Sequence, residues 1–190
     1  MNEPIDALRS DPHLGPVVEA HGPISVEPAP DAFERLLVSI LRQQVSMDAA
    51  AAIEGRLFEQ VDPTPSGILE ADPTVMREAG LSAAKTEYVR NLADAWISGG
   101  WSRSYFAEMN DETVVEELTT VKGVGTWTGK MFLLFGLGRE DVFPVEDLGI
   151  RNAMWNLVDE DLTRAEMVEV ATQWAPYRSY ASEYLWRTID

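Results

Sequence analysis

Apolar residues recur at intervals of three and four along most of the chain, and no segment alternates over the length of a strand, so the pattern predicts an all-α protein. Asp31 is placed to cap a segment in which Phe33, Leu36, Leu37, Ile40 and Leu41 form one buried stripe. The polar break Arg42-Gln43-Gln44 follows. Ser46 can then open a second helix through Ala49, Ala50, Ile53, Leu57 and Phe58, ended by Pro63 and Pro65. Ser82 opens Ala83 to Ile97, with Tyr88, Leu92, Ala95 and Trp96 on one side, and Gly99-Gly100 stop it. Thr163-Arg164-Ala165-Glu166 has the pattern of a capping box, predicting a helix to about Trp174. Pro176 begins the last helix, through Tyr180, Tyr184 and Leu185. The stretch from Pro63 to Pro73 reads as a connection rather than a domain boundary, and there is no internal repeat or low-complexity tract.

The segment Val121-Lys122-Gly123-Val124-Gly125-Thr126-Trp127 departs from this plain helical pattern. Two glycines flank one apolar residue between two helical stretches. Glycine tolerates positive φ and lets another backbone come close, so a tight hairpin is expected. The following helix, capped by Thr126 and running through Trp127, Met131, Leu134 and Phe135, would leave its first N–H groups pointing out of the hairpin, as anion-binding helix ends do. Lys122 and Lys130 flank it and could meet a phosphate; Lys85 is the third and last lysine. On spacing alone an ordinary interhelical turn is equally open.

Composition first argues against a polyanionic partner. Fifteen basic and thirty-two acidic residues give a formal charge of −17, where nucleic-acid binders usually carry a basic footprint. Arginine supplies most of the cations and the acids are scattered, as on surfaces adapted to a salt-loaded cytoplasm. At molar salt the Debye length is about 3 Å, so distant repulsion is screened and local contacts decide. The chain's 190 residues, 45% of them hydrophobic, can form one core or two small lobes. No apolar run approaches a membrane span, and the acidic start Met1-Asn2-Glu3-Pro4 lacks the features of a signal peptide. The absence of cysteine excludes disulfides, thiolate catalysis and a cysteine-ligated iron–sulfur cluster, and is compatible with a reducing cytoplasm. His13 and His21 have no metal-ligand spacing.

Taken in order, Gln43-Gln44-Val45-Ser46, Gly80-Leu81-Ser82 with Lys85, the hairpin 121–125, Thr126-Trp127-Thr128, Leu137 to Pro144 and Asp147-Leu148-Gly149 resemble the helix-hairpin-helix (HhH-GPD) glycosylases of base excision repair. The 3-methyladenine DNA glycosylase II family is the nearest branch, and the likeness runs from about Asp11 to Arg187. It implies a single catalytic core of two closely packed helical lobes with the pocket between them, without the extra N-terminal sheet domain of some members. The partner implied is damaged double-stranded DNA, met by a monomer at the nucleoid in the cytoplasm, with no cofactor required.

The resemblance also implies roles. Asp147 matches the catalytic aspartate, which supports an oxocarbenium-like sugar and the attacking water; its spacing equally suits a helix cap for Ile150, Met154 and Leu157, and both roles can hold at once. Glu146 is the weaker candidate. Two residues past Gly125, bifunctional relatives carry a Schiff-base lysine; Trp127 stands there, implying hydrolysis without strand cleavage. Trp127 matches the pocket tryptophan, and Tyr177 stands where relatives have another aromatic; electron-rich rings suit a cationic alkylated purine. Gln44 matches the wedge that fills the gap left by an extruded nucleotide, with a loop cap as the other reading. The backbone at Gly123 and Gly125 would hold phosphate, and the carbonyls of Thr119, Val121 and Val124 could hold a structural sodium or potassium ion. Trp96, Trp101, Trp155, Trp174 and Trp186 are expected in the core. A glycosylase for deaminated or oxidised bases and a noncatalytic DNA-binding module remain the alternatives.

Overall fold

The computed structural model describes residues 3–189, so Met1 and Asn2 of the acidic N-terminus lie outside the described residues. The protein is all-α: in chain order the helices are α1 (Glu3–Arg9), α2 (Gly15–His21), α3 (Ala32–Arg42), α4 (Met47–Phe58), α5 (Pro65–Glu70), α6 (Pro73–Glu78), α7 (Ala83–Ser98), α8 (Arg103–Ala107), α9 (Asp111–Thr119), α10 (Thr126–Met131), α11 (Leu148–Leu157), α12 (Arg164–Ala171) and α13 (Arg178–Trp186). Among the described residues there is no strand, and no helix is long and apolar enough to cross a membrane. The chain divides into two compact units: Pro28–Leu137 form one, and the residues up to Glu27 with those from Gly138 onward form the other.

The continuous unit is built around α3. Asp31 accepts the N–H of Glu34 at 2.9 Å as its cap, and Phe33, Leu36, Leu37, Ile40 and Leu41 are all buried, as their spacing predicts. Against this stripe pack α7 and the segment after α10, where Phe33, Trp96, Trp101, Phe106 and Phe132 meet in edge and tilted contacts with centroids 5.3 to 6.2 Å apart. Each such side chain taken from water contributes about 1.5–3 kcal/mol, which explains why a 16-residue helix with so modest an apolar face as α7 is held. The supposed connection from Pro63 to Pro73 contains a helix, α5. Thr64 caps it by accepting the N–H of Gly67 at 3.1 Å and Pro65 occupies its first turn. Six residues are too few for a period to be legible.

Two ends differ from the sequence expectation. Thr126 is not a cap: Gly125 takes the cap position and its carbonyl accepts the N–H of Gly129 at 3.0 Å, so the ladder begins one residue earlier. Beyond Met131 the helix widens into a π turn, Phe132–Gly136, closed by the Leu137 N–H on the Phe132 carbonyl at 2.9 Å. A Cβ at Gly136 would lie 2.5 Å from the Phe132 ring, so the glycine admits that ring.

In the discontinuous unit, α11 and α13 pack side by side over a core including Ile5, Leu8, Ile150, Met154, Trp174 and Tyr184. The Thr163–Glu166 capping box forms, and α12 ends at Ala171 with a 3-10 turn continuing to Trp174. Pro176 does not open α13. The Tyr177 N–H closes a turn onto the Trp174 carbonyl at 2.7 Å, and the helix starts at Arg178. Arg178 grips Asp141 with two bonds of 2.6 and 2.9 Å. Burial pushes the Asp141 carboxyl up, but the hydrogen bonds and charge of Arg178 outweigh it and hold it below its usual range. A carboxyl depressed in the folded state stabilises above its unfolded value of about 3.9 and loses that contribution as pH falls through the folded value. Asp141→Asn is therefore expected to lower the melting temperature near pH 7 and to lose its deficit relative to wild type as pH falls through the depressed folded-state value of the Asp141 carboxyl, as a thermal-melt series against pH would measure.

Candidate functional site

The hairpin between α9 and α10 is built by its glycines. Gly123 has φ +104°, and a Cβ there would sit 2.2 Å from the Tyr88 ring, so both conformation and space require glycine. The Val124 N–H returns to the Val121 carbonyl at 3.0 Å and closes the turn. Gly125 is different: it is exposed, its φ is −105°, and a Cβ would meet nothing within 4 Å. No side chain caps α10, which leaves its first N–H groups for water or a ligand. Trp127 follows, half-buried, above the buried Thr128.

The hairpin lies against the turn between α3 and α4. The Gln43 amide nitrogen donates to the Gly123 carbonyl and to Thr128 Oγ1, both at 2.9 Å. Gln44, next to it, is exposed and has φ +57°, the one non-glycine positive φ among the described residues. The cap of α4 is Ser46, which accepts the N–H of Ala49; this removes the loop-cap reading of Gln44. Val45 and Met47 beside it are exposed apolar side chains, 38% and 63% accessible.

Asp147 stands at the N-terminus of α11. Its Oδ1 accepts the N–H of Ile150 at 3.0 Å, so it is a true helix cap, and also the indole N–H of Trp186 at 2.9 Å. Arg151, one turn along α11, donates to the carbonyls of Val145 and Glu146 at 3.1 and 2.6 Å and braces the strand of backbone leading into Asp147. A Cβ at Gly149 would lie 3.0 Å from Asp147 Oδ1 and 3.1 Å from Trp186 Cδ1, so the glycine leaves room for their contact.

Trp186 is thus the aromatic residue that the fold brings to the carboxylate, and it is half-buried while packing against the core of its unit. Nothing local in the sequence links positions separated by most of α11 to α13. Trp101 and Trp174 are buried as expected, Trp96 belongs to the aromatic cluster, and Trp155 donates to the Leu162 carbonyl at 2.8 Å. Tyr177 packs edge-on against Tyr180, centroids 6.2 Å apart, and lines a cavity of about 500 Å³ with Glu3, Asp11 and Trp174.

The cations are largely committed to the fold. Arg56, Lys85, Arg90, Arg103 and Arg151 donate to backbone carbonyls, while Arg9 and Arg178 pair with carboxylates. Lys122 pairs with Glu87 at 2.7 Å, a hydrogen bond that raises its ammonium pKa above the usual value. Lys130 is half-buried on α10. Among the described residues no group of three or more His, Cys, Asp or Glu side chains gathers as a metal site.

Comparison with known proteins agrees with this geometry. The model of the HhH-GPD superfamily of base excision DNA repair proteins matches residues 37–176. DNA-3-methyladenine glycosylase 1 of Schizosaccharomyces pombe is 36% identical over 166 residues, 83% of this chain and 72% of that protein. A putative DNA-3-methyladenine glycosylase of Bacillus subtilis is 31% identical over 93% of this chain and 66% of its own length. Among solved structures, the S. pombe 3-methyladenine DNA glycosylase in complex with abasic DNA superposes with a TM-score of 0.90 at 31% identity, covering 98% of this chain and 96% of that one. With the family model spanning well over half of its residues, the chain belongs to the HhH-GPD superfamily of base excision DNA repair proteins.

Proposed function

We propose that this protein is a monofunctional DNA glycosylase that hydrolyses the N-glycosidic bond of alkylated, 3-methyladenine-like purines in double-stranded DNA. The observation that carries the reading is Asp147, a carboxylate held through one oxygen by the Ile150 N–H and the Trp186 indole. Positive charge develops on the sugar as the base departs, and a fixed anion stabilises that charge more than it stabilises the ground state. The names of the relatives support alkylated bases as the substrate class. Trp127, standing where a lysine would form a Schiff base, supports hydrolysis without strand cleavage.

In this reading the backbone at Gly123 and Gly125 grips a phosphate and Lys122 and Lys130 assist, Lys122 by exchanging its Glu87 partner. Gln44 fills the gap in the stack, and Trp127 faces the extruded base. Tyr177, packed edge-on against Tyr180, is the second aromatic offered to the base, and Trp186 holds the carboxylate. The carbonyls of Thr119, Val121 and Val124 are oxygen donors of the kind hard cations take; Val121 already accepts one N–H and keeps a second lone pair for sodium or potassium. A monomer acting at the nucleoid follows from the same reading.

Free base released from a methylated duplex, with strands intact until alkali treatment, is the expected result. Strand breaks without alkali, or no release at any salt, would overturn it. Because backbone N–H groups rather than free cations make the grip, duplex binding is expected to depend weakly on salt. A slope of log K on log [KCl] of about −2 to −3 is expected, against about −5 to −9 for a protein neutralising 6–10 phosphates. Fluorescence anisotropy titrations across KCl concentrations measure it.

A further inference from the structure

We propose that Gln43 is a positioning residue that ties the turn bearing Gln44 to the phosphate-gripping hairpin, so that stack filling and backbone grip act as one step. The proposal rests on the glycosylase reading above. Its geometry is that of a two-point tether. A primary amide has two N–H donors on its nitrogen, and both are engaged: one on the Gly123 carbonyl, one on Thr128 Oγ1, each at 2.9 Å. The Gly123 carbonyl can only accept, which fixes the orientation of the amide.

The flanking structure makes the tether stiff. Gln43 ends α3, its own N–H returning to the Ile40 carbonyl at 3.2 Å. Two residues earlier, Lys85 Nζ holds the Leu41 carbonyl at 2.6 Å. On the far side, Gly123 packs against the Tyr88 ring and Thr128 is buried. Gln43 therefore has a fixed backbone at one end and fixed acceptors at the other. The left-handed φ of Gln44 then turns the chain so that two adjacent glutamines do different work, one bound inward to the hairpin and one exposed at the tip. A residue held in that region is strained and persists only where its surroundings determine it. The Gln43 amide is the side-chain bond that determines it here.

The consequence is specific to the step in which a nucleotide leaves a paired stack. Extrusion from an intact duplex costs unpairing and unstacking, and least where the base is already unpaired. A loosened tip should fail where the stack must be held open and matter little where it need not be. Single-turnover base release is compared for a methylated purine in a paired duplex and for the same lesion opposite an abasic gap, in wild type, Gln43→Met, Gln44→Ala and the double variant. On paired DNA, Gln43→Met is expected to be about 10- to 30-fold slower, and on gapped DNA less than about 3-fold slower. The double variant should be scarcely slower than the worse single one, because both changes disable one unit.

If Gln43→Met does not fold, Gln43→Glu keeps the length of the side chain, loses the donor and should give the same selective loss. Equal losses on both substrates, no loss, or additive losses in the double variant would overturn the tether while leaving the glycosylase intact. A wild-type protein that releases no base from either substrate would overturn the functional reading, and the tether with it.

Discussion

Replacing Asp147 by asparagine is expected to slow release of a methylated purine from duplex DNA by about 100- to 1,000-fold, the range seen when one preorganised electrostatic group is removed from a transition state. The substitution is informative because of what it leaves in place. Asparagine is as good a helix cap as aspartate, and its side-chain oxygen can still accept the N–H of Ile150 and the indole N–H of Trp186. Fold and contacts are retained while the charge is lost. A melting temperature within about 2 °C of wild type is therefore expected together with the rate loss. Duplex affinity should be unchanged or higher, since one negative charge has been withdrawn from a surface facing phosphates. Single-turnover release with chromatographic detection of free base, beside a binding titration, measures all three quantities. A rate within about 3-fold of wild type would mean that Asp147 is a cap and no more. A large fall in stability accompanying the rate loss would leave the charge unimplicated.

What could be read from the sequence follows the range of the interactions involved. Helices whose own residues contain the period and the cap were legible: Asp31 with Phe33 to Leu41, Ser82 opening α7, Thr163 with Glu166. So was the hairpin, because a glycine between two helical stretches marks a place where the chain can take the positive φ that Gly123 adopts. Short helices such as α5 were not, because six residues show no period and the cap Thr64 lies between two prolines. The start of α10 lies one residue before the threonine expected to cap it, since threonine and glycine cap about equally well and here Gly125 supplies the first helical carbonyl. In the candidate site, Asp147 could be named from motif order, whereas Trp186 could not. Its link to Asp147 is a hydrogen bond between the N-terminus of one helix and the end of another, fixed by packing and by the space at Gly149. For the same reason the sequence shows Gln43 only as part of a polar break and of the run Gln43-Gln44-Val45-Ser46. Its partners lie in the hairpin, and no local pattern distinguishes an inward-facing glutamine from the exposed one beside it.

The two hairpin glycines should separate folding from binding. Gly123→Ala is expected to destabilise the protein by about 2–4 kcal/mol, combining strain of about 1–3 kcal/mol for a side chain at φ +104° with the clash of its Cβ against Tyr88. For a chain of this size that lowers the melting temperature by roughly 5–15 °C. The Tyr88 contact is with the root of a ring, 2.2 to 2.6 Å away, so the ring itself must shift and take the hairpin with it. Gly125→Ala meets neither obstacle: φ −105° suits alanine and a Cβ there enters open space. Its cost to folding should be no more than the about 0.5–1 kcal/mol of a poorer helix cap. If a phosphate oxygen comes up to the backbone at Gly125, however, the added methyl stands in its path, and duplex affinity should fall by about 10-fold or more for the loss of about 1.4 kcal/mol. Calorimetry and anisotropy on the two variants then give opposite patterns, instability at Gly123 and weak binding by a well-folded protein at Gly125. Wild-type affinity in Gly125→Ala would remove the phosphate from that face of the hairpin. The glycine there would then reflect only its better capping of a helix start than alanine, since within the chain itself nothing competes for the space.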